Sequence, residues 1–300
     1  MIKRWIATGV LLAFSTAAWA ISPYIQGDTL AVGSVQAVAS AVESRLKNEG
    51  FKVVGKYFPK DLPGSGVVIV TDDAMLSEVG SVGGHAVLGA AMRVGVKADG
   101  SVAYTNPDYW YRAYFRRSFD KKEGAVKELQ ARLQSALGAG KGFGGDETAS
   151  SLTSYRYMIG MERLDSYKNK LAEATSFAEA VKTVRDNLAK GIGKTAKIYE
   201  IVLPDRKLAV FGVAMNDGDN SDGAWLKRID MQNNIAALPY ELYIVDKSIE
   251  SPHGRFRIAL AFPDVGMGQF MRISSLPSTI VETMSSVAGV DKKASGDAWQ

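Results

Sequence analysis

The stretch AMRVGVKADGSVAYTNPD, residues 91–108, decides the fold of this chain. Apolar and β-branched residues predict one strand over 87–96 and another over 102–105, and Asp99-Gly100 between them supplies a tight hairpin turn. Asn106-Pro107-Asp108 follows directly and has the composition of a helix start, with an asparagine cap and a proline in the first turn. The segment predicts an antiparallel hairpin that leads into a helix.

The residues around the hairpin predict a mixed order of strands and helices. A strand is predicted over 29–34, and a helix over 35–50 follows it. Strands rich in valine and aromatic residues are predicted over 51–58 and 67–71, and an amphipathic helix over 126–137 ends the first half. The apolar stripe of the helix over 35–50 consists of Val35, Val38, Ala39, Val42 and Leu46.

The second half of the sequence repeats this order of elements. Ser176 and Glu179 form a capping box at the start of a helix, and the last helix begins at Pro277. A second hairpin is predicted between 240–245 and 256–262. The other predicted strands of this half are 155–161, 198–202 and 208–215.

Short sequence matches accompany the shared order. Pro107-Asp108 matches Pro263-Asp264, and Phe115-Arg116 matches Met271-Arg272 at the same spacing. We therefore predict an α+β fold of two tandem β-α-β4-α modules with antiparallel sheets, related by internal duplication. Chance similarity between two α+β domains is the alternative.

A glycine-rich stretch separates the two halves. Residues 138–145 contain five glycines in eight residues, a composition that favours a flexible connection. The predicted organisation is a first module over 28–137, a linker over 138–150, a second module over 151–291 and a polar tail over 292–300.

The first twenty residues have the pattern of a signal peptide. Lys3 and Arg4 precede an apolar run over 5–18, and Ala18-Trp19-Ala20 has the small residues that signal peptidase requires. A transmembrane anchor is the alternative, but about fourteen apolar residues are fewer than the roughly twenty that span a bilayer. Cleavage after Ala20 and a periplasmic location are expected, with no stable membrane insertion of the mature chain.

Composition excludes several classes of function. The chain has no cysteine, which removes disulfides, thiolate metal sites and cysteine nucleophiles. Removal of Lys3 and Arg4 with the leader lowers the formal charge from +4 to +2. Such a small excess of positive charge does not favour a nucleic-acid partner.

Parts of the sequence resemble the domain of unknown function 302 family. The resemblance rests on residues 90–96 and 104–109, which follow a predicted helix ending at Gly50. Residues 157–162 and 257–264 look like a second, more divergent copy. The resemblance implies the β-α-β4-α module and brings no catalytic residue, because the family pattern supplies none.

Duplicated charges give the candidate binding residues. Arg93 falls on Glu241 in the repeat, and Arg93 alternates with the Met92 and Val94 face of its strand, so it points away from the core of its own module. We predict that the cleft between the modules is the binding surface; the alternative is that these charges only hold the halves together. The candidates are Arg93, Tyr104, Asn106, Asp108, Tyr109, Arg116, Glu241, Asp264 and Arg272.

The aromatic residues and histidines leave further alternatives open. Residues 104–117 interleave aromatic rings with arginines, which suits either a stacked planar ligand or a packed core. His85 and His253 are the only histidines, and no ligand spacing supports a metal or haem site at either. Residues 216–223 are similar to a calcium loop, but Arg228 stands where the final glutamate ligand belongs.

The expected function is that of a non-enzymatic periplasmic binding or accessory protein. Its ligand would be a small molecule or a protein partner at the cleft between the modules, and no cofactor is expected. The rival classes are an enzyme that works without cysteine or metal, and a haem or metal carrier.

Overall fold

The computed structural model describes residues 20–290 and has an α+β fold with antiparallel sheets, as predicted. The leader expected over 1–20, apart from Ala20, and the tail over 292–300 lie outside the described residues. Within residues 20–290, every helix is too short or too polar to cross a bilayer.

The first half contains the hairpin that the sequence predicts. Gly95 lies opposite Ala103 in the hairpin register, and Asn106 caps the helix that follows. A 3-10 turn, Gly84–Ala90, precedes the hairpin. The elements of this half are β1 (Ala20–Ile21), β2 (Tyr24–Gln26), α1 (Val35–Asn48), β3 (Lys52–Tyr57), β4 (Ser65–Thr71), α2 (Asp73–Val82), β5 (Met92–Lys97), β6 (Val102–Thr105), α3 (Pro107–Phe115) and α4 (Glu123–Leu137).

Two boundaries of the first half differ from the prediction. Residues 29–34 form no strand; Leu30 and Gly33 instead donate single hydrogen bonds to Gly100 and Ala98 in the hairpin turn. The strand that precedes α1 is β2. Residues 87–90 belong to the 3-10 turn, so the predicted strand over 87–96 begins only at Met92.

The glycine-rich segment is packed, and the prediction of a flexible connection is wrong. Its strand β7 (Gly142–Phe143) pairs with β2 and becomes the sixth strand of the first sheet. Strand β8 (Glu147–Thr148) pairs with β1, and the short helix α5 (Ala149–Thr153) follows. Gly144 and Gly145 have positive φ angles and lie against Asn234 and Asp264, positions that a larger residue would clash with.

The second half confirms the predicted helix that Ser176 caps and the two strands after it. A 3-10 turn, Gln232–Ala237, precedes its hairpin. The elements are β9 (Lys170–Glu173), α6 (Phe177–Ala189), β10 (Thr195–Leu203), β11 (Leu208–Met215), α7 (Asp222–Arg228), β12 (Tyr240–Val245), β13 (Ser248–Glu250), α8 (Gly254–Ala261), α9 (Met267–Met271) and α10 (Leu276–Val287).

Two predictions for the second half are wrong. Residues 256–262 lie mainly in helix α8, and β12 pairs with the short strand β13 through a tight turn in which Asp246 has a positive φ. Residues 155–161 form turns and bends in place of a strand. Pro263-Asp264 consequently follows a helix, whereas Pro107-Asp108 begins one, so the predicted match between these segments fails.

The two sheets nevertheless have the same strand order. The first runs β3-β4-β5-β6-β2 with β7 added at its edge, and the second runs β10-β11-β12-β13-β9. Both halves proceed from a strand through a helix and four strands to a C-terminal helix, as predicted. Arg93 is the second residue of β5, and Glu241 is the second residue of the corresponding strand β12, in agreement with the predicted match. The internal duplication itself stays a prediction.

Each sheet is covered on both faces. Helix α1 packs on β4 and β5, and α6 packs on β10, β12 and β13. The opposite faces of the two sheets meet at a surface that we call the seam. There the turn Gly84–Ala90 packs on β11 and β12, while the turn Gln232–Ala237 packs on β4, β5 and β6. Because each half covers the other, β4 and β11 are buried along their whole length.

Candidate functional site at the seam

The centre of the seam holds a buried charged cluster. Arg93 of β5 binds Glu241 of β12, and Arg257 of α8 binds the same carboxylate with an Nε–Oε2 distance of 2.9 Å. The side chains of the three residues are at most 3% exposed. We call Arg93, Glu241, Arg257 and Trp110 the central cluster. The structure thus brings together two predicted residues, Arg93 and Glu241.

The central cluster contains two cations and one anion, and neutral groups stabilise the extra positive charge. Arg93 Nε donates to the Ala236 carbonyl at 3.0 Å, and an Arg257 terminal nitrogen donates to the Ala237 carbonyl at 2.8 Å. The Trp110 ring lies 5.1 Å from the Arg93 guanidinium carbon and 4.9 Å from that of Arg257, a cation–π geometry. A buried charge needs such partners, because desolvation costs several kcal/mol per ion.

This arrangement favours the alternative in which the duplicated charges hold the halves together. Arg93 is 2% exposed and Glu241 is 0% exposed, and the charged groups of both are bound within the central cluster and to the Ala236 carbonyl. A ligand that bound either residue would first have to break this ion pair.

A second polar contact crosses the seam at α7. Tyr57 donates to Asp222 Oδ2 at 2.8 Å, and the Met215 amide donates to the same oxygen at 3.0 Å. Burial raises the pKa of Asp222 to about 6, and the hydrogen bonds from Met215 and Tyr57 oppose this shift. Asp222 is therefore the group through which pH acts on this contact.

An open groove of about 340 Å³ lies at the end of the seam beside Lys97. Gly95 and Ala103 form its floor; they lie opposite each other on the seam face of the first sheet. Because both side chains are small, the floor is low. The walls of the open groove are Gln26, Lys97, Ser101, Phe143, Asn233 and Ile235.

The open groove combines apolar walls with one cation. Phe143 and Ile235 supply apolar surface from the glycine-rich segment and from the second half. The Lys97 ammonium donates to the side-chain oxygen of Asn233, a neutral partner that leaves its charge uncompensated by this contact. A volume of 300–1,000 Å³ with few polar groups is typical of ligand pockets in general. The groove therefore suits a small molecule with an apolar body and an anionic group.

The corresponding place on the second sheet is filled. By strand order and register, Gly95 corresponds to Tyr243 and Ala103 to Glu250. Tyr243 is 0% exposed, and its hydroxyl donates to Glu250 at 2.9 Å. Among the described residues, the open groove therefore lies at Gly95 and Ala103, and its counterpart on the second sheet is filled by this pair.

The predicted aromatic residues are packed into the core. Tyr104 and Tyr109 are both 0% exposed. Tyr104 donates to the Gly138 carbonyl at 2.8 Å, and Tyr109 donates across the seam to the Leu260 carbonyl at 2.8 Å. These contacts favour the core interpretation of residues 104–117 over a stacked ligand.

Asn106 and Asp108 border a different cavity, of about 760 Å³, near the beginning of β1. Asn106 Nδ2 donates to the Ser22 carbonyl at 2.8 Å, and Asp108 accepts from Arg112 Nε at 2.9 Å. Both polar groups already have partners within the fold. This cavity does not adjoin the central cluster, so the predicted residues do not converge on one site.

Arg116, Asp264 and Arg272 form separate contacts. Arg116 lies 3.5 Å from Asp165, and Arg272 lies 2.7 Å from Asp230 on the surface. Burial raises the pKa of Asp264, and nearby Asp146 adds to the effect. The predicted match of Arg116 with Arg272 therefore does not place the two at one surface.

The histidines lie apart from the open groove. Burial lowers the pKa of His85, and the neighbouring Arg116 lowers it further. His253 caps α8, and its Nδ1 lies 3.7 Å from a Glu162 carboxylate oxygen. Among residues 20–290, no group of three or more His, Cys, Asp or Glu side chains is placed to hold a metal ion.

Sequence reasoning missed the residues that form the open groove. Lys97, Phe143 and Asn233 lie in three segments that only the tertiary fold brings together. The available signal was the small pair Gly95 and Ala103 within a hairpin otherwise rich in large residues. Glycine inside a strand commonly marks a close approach of another group.

Comparisons of the chain with protein-family models, with curated proteins and with solved structures gave no match. The resemblance to the domain of unknown function 302 family therefore rests on the quoted residues alone and stays a prediction.

Proposed function

We propose that the protein is an exported, non-enzymatic binding or accessory protein of the periplasm that holds a small anionic molecule in the open groove. In this proposal the two halves are copies of one module, and the groove lies where Gly95 and Ala103 stand in place of Tyr243 and Glu250. Export rests on the leader predicted over 1–20, whose removal after Ala20 would leave a mature chain that begins at Ile21.

The observation that supports the proposal is the contrast between Ala103 and the corresponding pair of Tyr243 and Glu250. Tyr243 closes the corresponding place on the second sheet. At Gly95, Ile235 of the other half takes the space of the absent side chain, but the groove beside Ala103 stays open and measures about 340 Å³. A groove of this size with apolar walls and a few polar groups has the form typical of small-molecule sites.

The side chains around the groove define the chemistry of the ligand. Lys97 provides an ammonium for a carboxylate or sulfonate, while Gln26 and Ser101 provide further hydrogen-bonding groups. Phe143 and Ile235 contact an apolar body. We infer an amphipathic organic anion, because a purely polar ligand would leave these two walls without a partner.

Filling the floor of the groove tests this proposal. The probe is 1-anilinonaphthalene-8-sulfonate, which has a flat apolar body and one sulfonate, and its fluorescence reports binding. Ala103→Leu is expected to weaken binding of the probe about tenfold or more, since the added side chain occupies the space of the ligand. Lys97→Ala removes the cation and is expected to weaken binding by a smaller factor.

A matched substitution controls for binding elsewhere. Ala41 is exposed on helix α1, so Ala41→Leu adds the same atoms at a different place. It is expected to leave the affinity unchanged. If Ala103→Leu leaves binding of the probe unchanged, or if Ala41→Leu weakens it equally, the open groove is not the binding site.

A further inference from the structure

An exposed apolar surface lies outside the seam, where two segments that are distant in sequence meet. Tyr157 and, from helix α9, Met267 line one small cavity; Met158 and Ile159 follow Tyr157 directly, and Met271 ends α9. Ile159 is 89% exposed, Met267 is 66% exposed and Met271 is 62% exposed. We call Tyr157, Met158, Ile159, Met267 and Met271 the apolar surface.

The apolar surface holds most of the exposed large apolar side chains of the described chain. Within residues 20–290, these five belong to a total of eight such side chains. Single exposed apolar residues are common, but a cluster of them marks a surface that contacts another apolar phase. The side chains are exposed, and the cavity beside Tyr157 and Met267 measures only about 70 Å³, which is too small for an organic ligand.

Arginines surround the apolar surface. Arg156 precedes Tyr157, Arg272 follows Met271, and Arg255 lies on the same cavity. Arg272 and Arg255 have carboxylates at 2.7 Å and 4.0 Å, from Asp230 and Glu162. Arg156 is exposed, and among residues 20–290 its side chain forms no hydrogen bond or ion pair.

We propose that the apolar surface binds the anionic surface of a lipid membrane. Protruding isoleucine and methionine side chains insert between acyl chains, and methionine adapts its shape to an irregular contact. Arginine forms paired hydrogen bonds with phosphate, so the unpaired Arg156 complements anionic headgroups. This binding is peripheral and does not depend on the ligand of the open groove.

Sedimentation with vesicles tests the proposal on the full mature chain. Vesicles of equal parts phosphatidylglycerol and phosphatidylcholine are expected to bind the protein about tenfold or more tightly than vesicles of phosphatidylcholine alone. Ile159→Asp and Arg156→Glu are each expected to weaken binding to the anionic vesicles about tenfold. Both positions are exposed, so circular dichroism and the melting temperature should stay those of the parent chain.

Val32 offers a matched control. It is 79% exposed and is distant in sequence from the apolar surface. The amide of the neighbouring Gly33 donates to Ala98 in the turn of the first hairpin. Val32→Asp adds the same charge and is expected to leave vesicle binding unchanged.

Three results would overturn the assignment. The first is equal binding to neutral and anionic vesicles, and the second is an equal loss from Val32→Asp and Ile159→Asp. The third is binding to soluble polyglutamate without binding to vesicles, which would identify an acidic protein segment as the partner.

Discussion

The seam faces of the two sheets carry different side chains at corresponding positions. Gly55 corresponds to Tyr199, whose Cβ lies 3.0 Å from where a Gly55 side chain would begin. Arg93 corresponds to Glu241, and the two bind each other. The halves therefore fit as unlike partners: a gap on one face receives a bulky group from the other, and opposite charges meet.

The open groove departs from this pattern. Gly95 admits Ile235 from the other half, but the space over Ala103 stays open, while Tyr243 fills the corresponding place on the second sheet. The sealed central cluster therefore stabilises the fold, whereas the open groove is accessible to a small molecule.

The largest expected effect is at the central cluster. Glu241→Ala leaves the Arg93 and Arg257 guanidinium groups buried without their carboxylate, and breaking a buried pair in this way costs about 3–5 kcal/mol in the free energy of unfolding. Urea denaturation measures the loss. Arg272→Ala removes an exposed pair with Asp230 and should cost less than about 1 kcal/mol. Equal losses from the two variants would contradict the role given to the central cluster.

A smaller effect is expected at the junction of the two regions. A side chain on Gly95 would begin 2.5 Å from Ile235 Cγ2 and 3.2 Å from the Ala236 amide nitrogen. Gly95→Ala should therefore lower the free energy of unfolding by about 1–3 kcal/mol, since the turn Gln232–Ala237 must shift.

Gly124 provides the comparison for this glycine. It lies in the first turn of α4, and an added Cβ would meet no atom within 4 Å. Gly124→Ala should stabilise the protein slightly, because alanine restricts the unfolded chain. A neutral Gly95→Ala would show that the seam is loose at the groove.

The smallest expected effect is the pH dependence of the contact between Tyr57 and Asp222. The folded pKa of Asp222 is raised from 3.8 to about 6, so the folded state favours the protonated carboxyl. The resulting stability is fully present below pH 3.8 and is lost as pH rises through 6. Between pH 5 and pH 7 this group should remove about 1.4 kcal/mol from the free energy of unfolding.

The variant Asp222→Asn isolates this effect. Its amide does not titrate, so the free energy of unfolding should change less between pH 5 and pH 7 than in the parent chain. Identical pH profiles for the two proteins, measured by urea denaturation, would show that Asp222 does not control the seam.

Local signals predicted much of the fold. Helix α1 buries the five stripe residues predicted for it, and Asp99-Gly100 forms the expected turn, because both depend on nearby residues. The alternation of Phe256, Ile258 and Leu260 with other side chains predicts a strand over 256–262, but these residues lie mainly in helix α8. In the fold Arg257 is also buried, and a short helix buried on most sides has no clear period.

The candidate site could be predicted only in part. Alternation on β5 placed Arg93 on the side away from its own core, and there it meets Glu241. Neither Arg257 nor Trp110 follows from such alternation, because each reaches the central cluster from a helix. The open groove depends on how Asn233 and Phe143 approach the first sheet, which no local pattern encodes.

The hydroxyl of Tyr24, at the start of the first sheet, donates to the carbonyl of Ala261 near the end of the chain. A nascent chain that contains only the first half therefore has a sheet with one uncovered face, and its Arg93 lacks the Glu241 carboxylate. Such a half-made product is prone to stick to other chains. We therefore expect a fragment that ends before the last helices to aggregate when it is expressed alone.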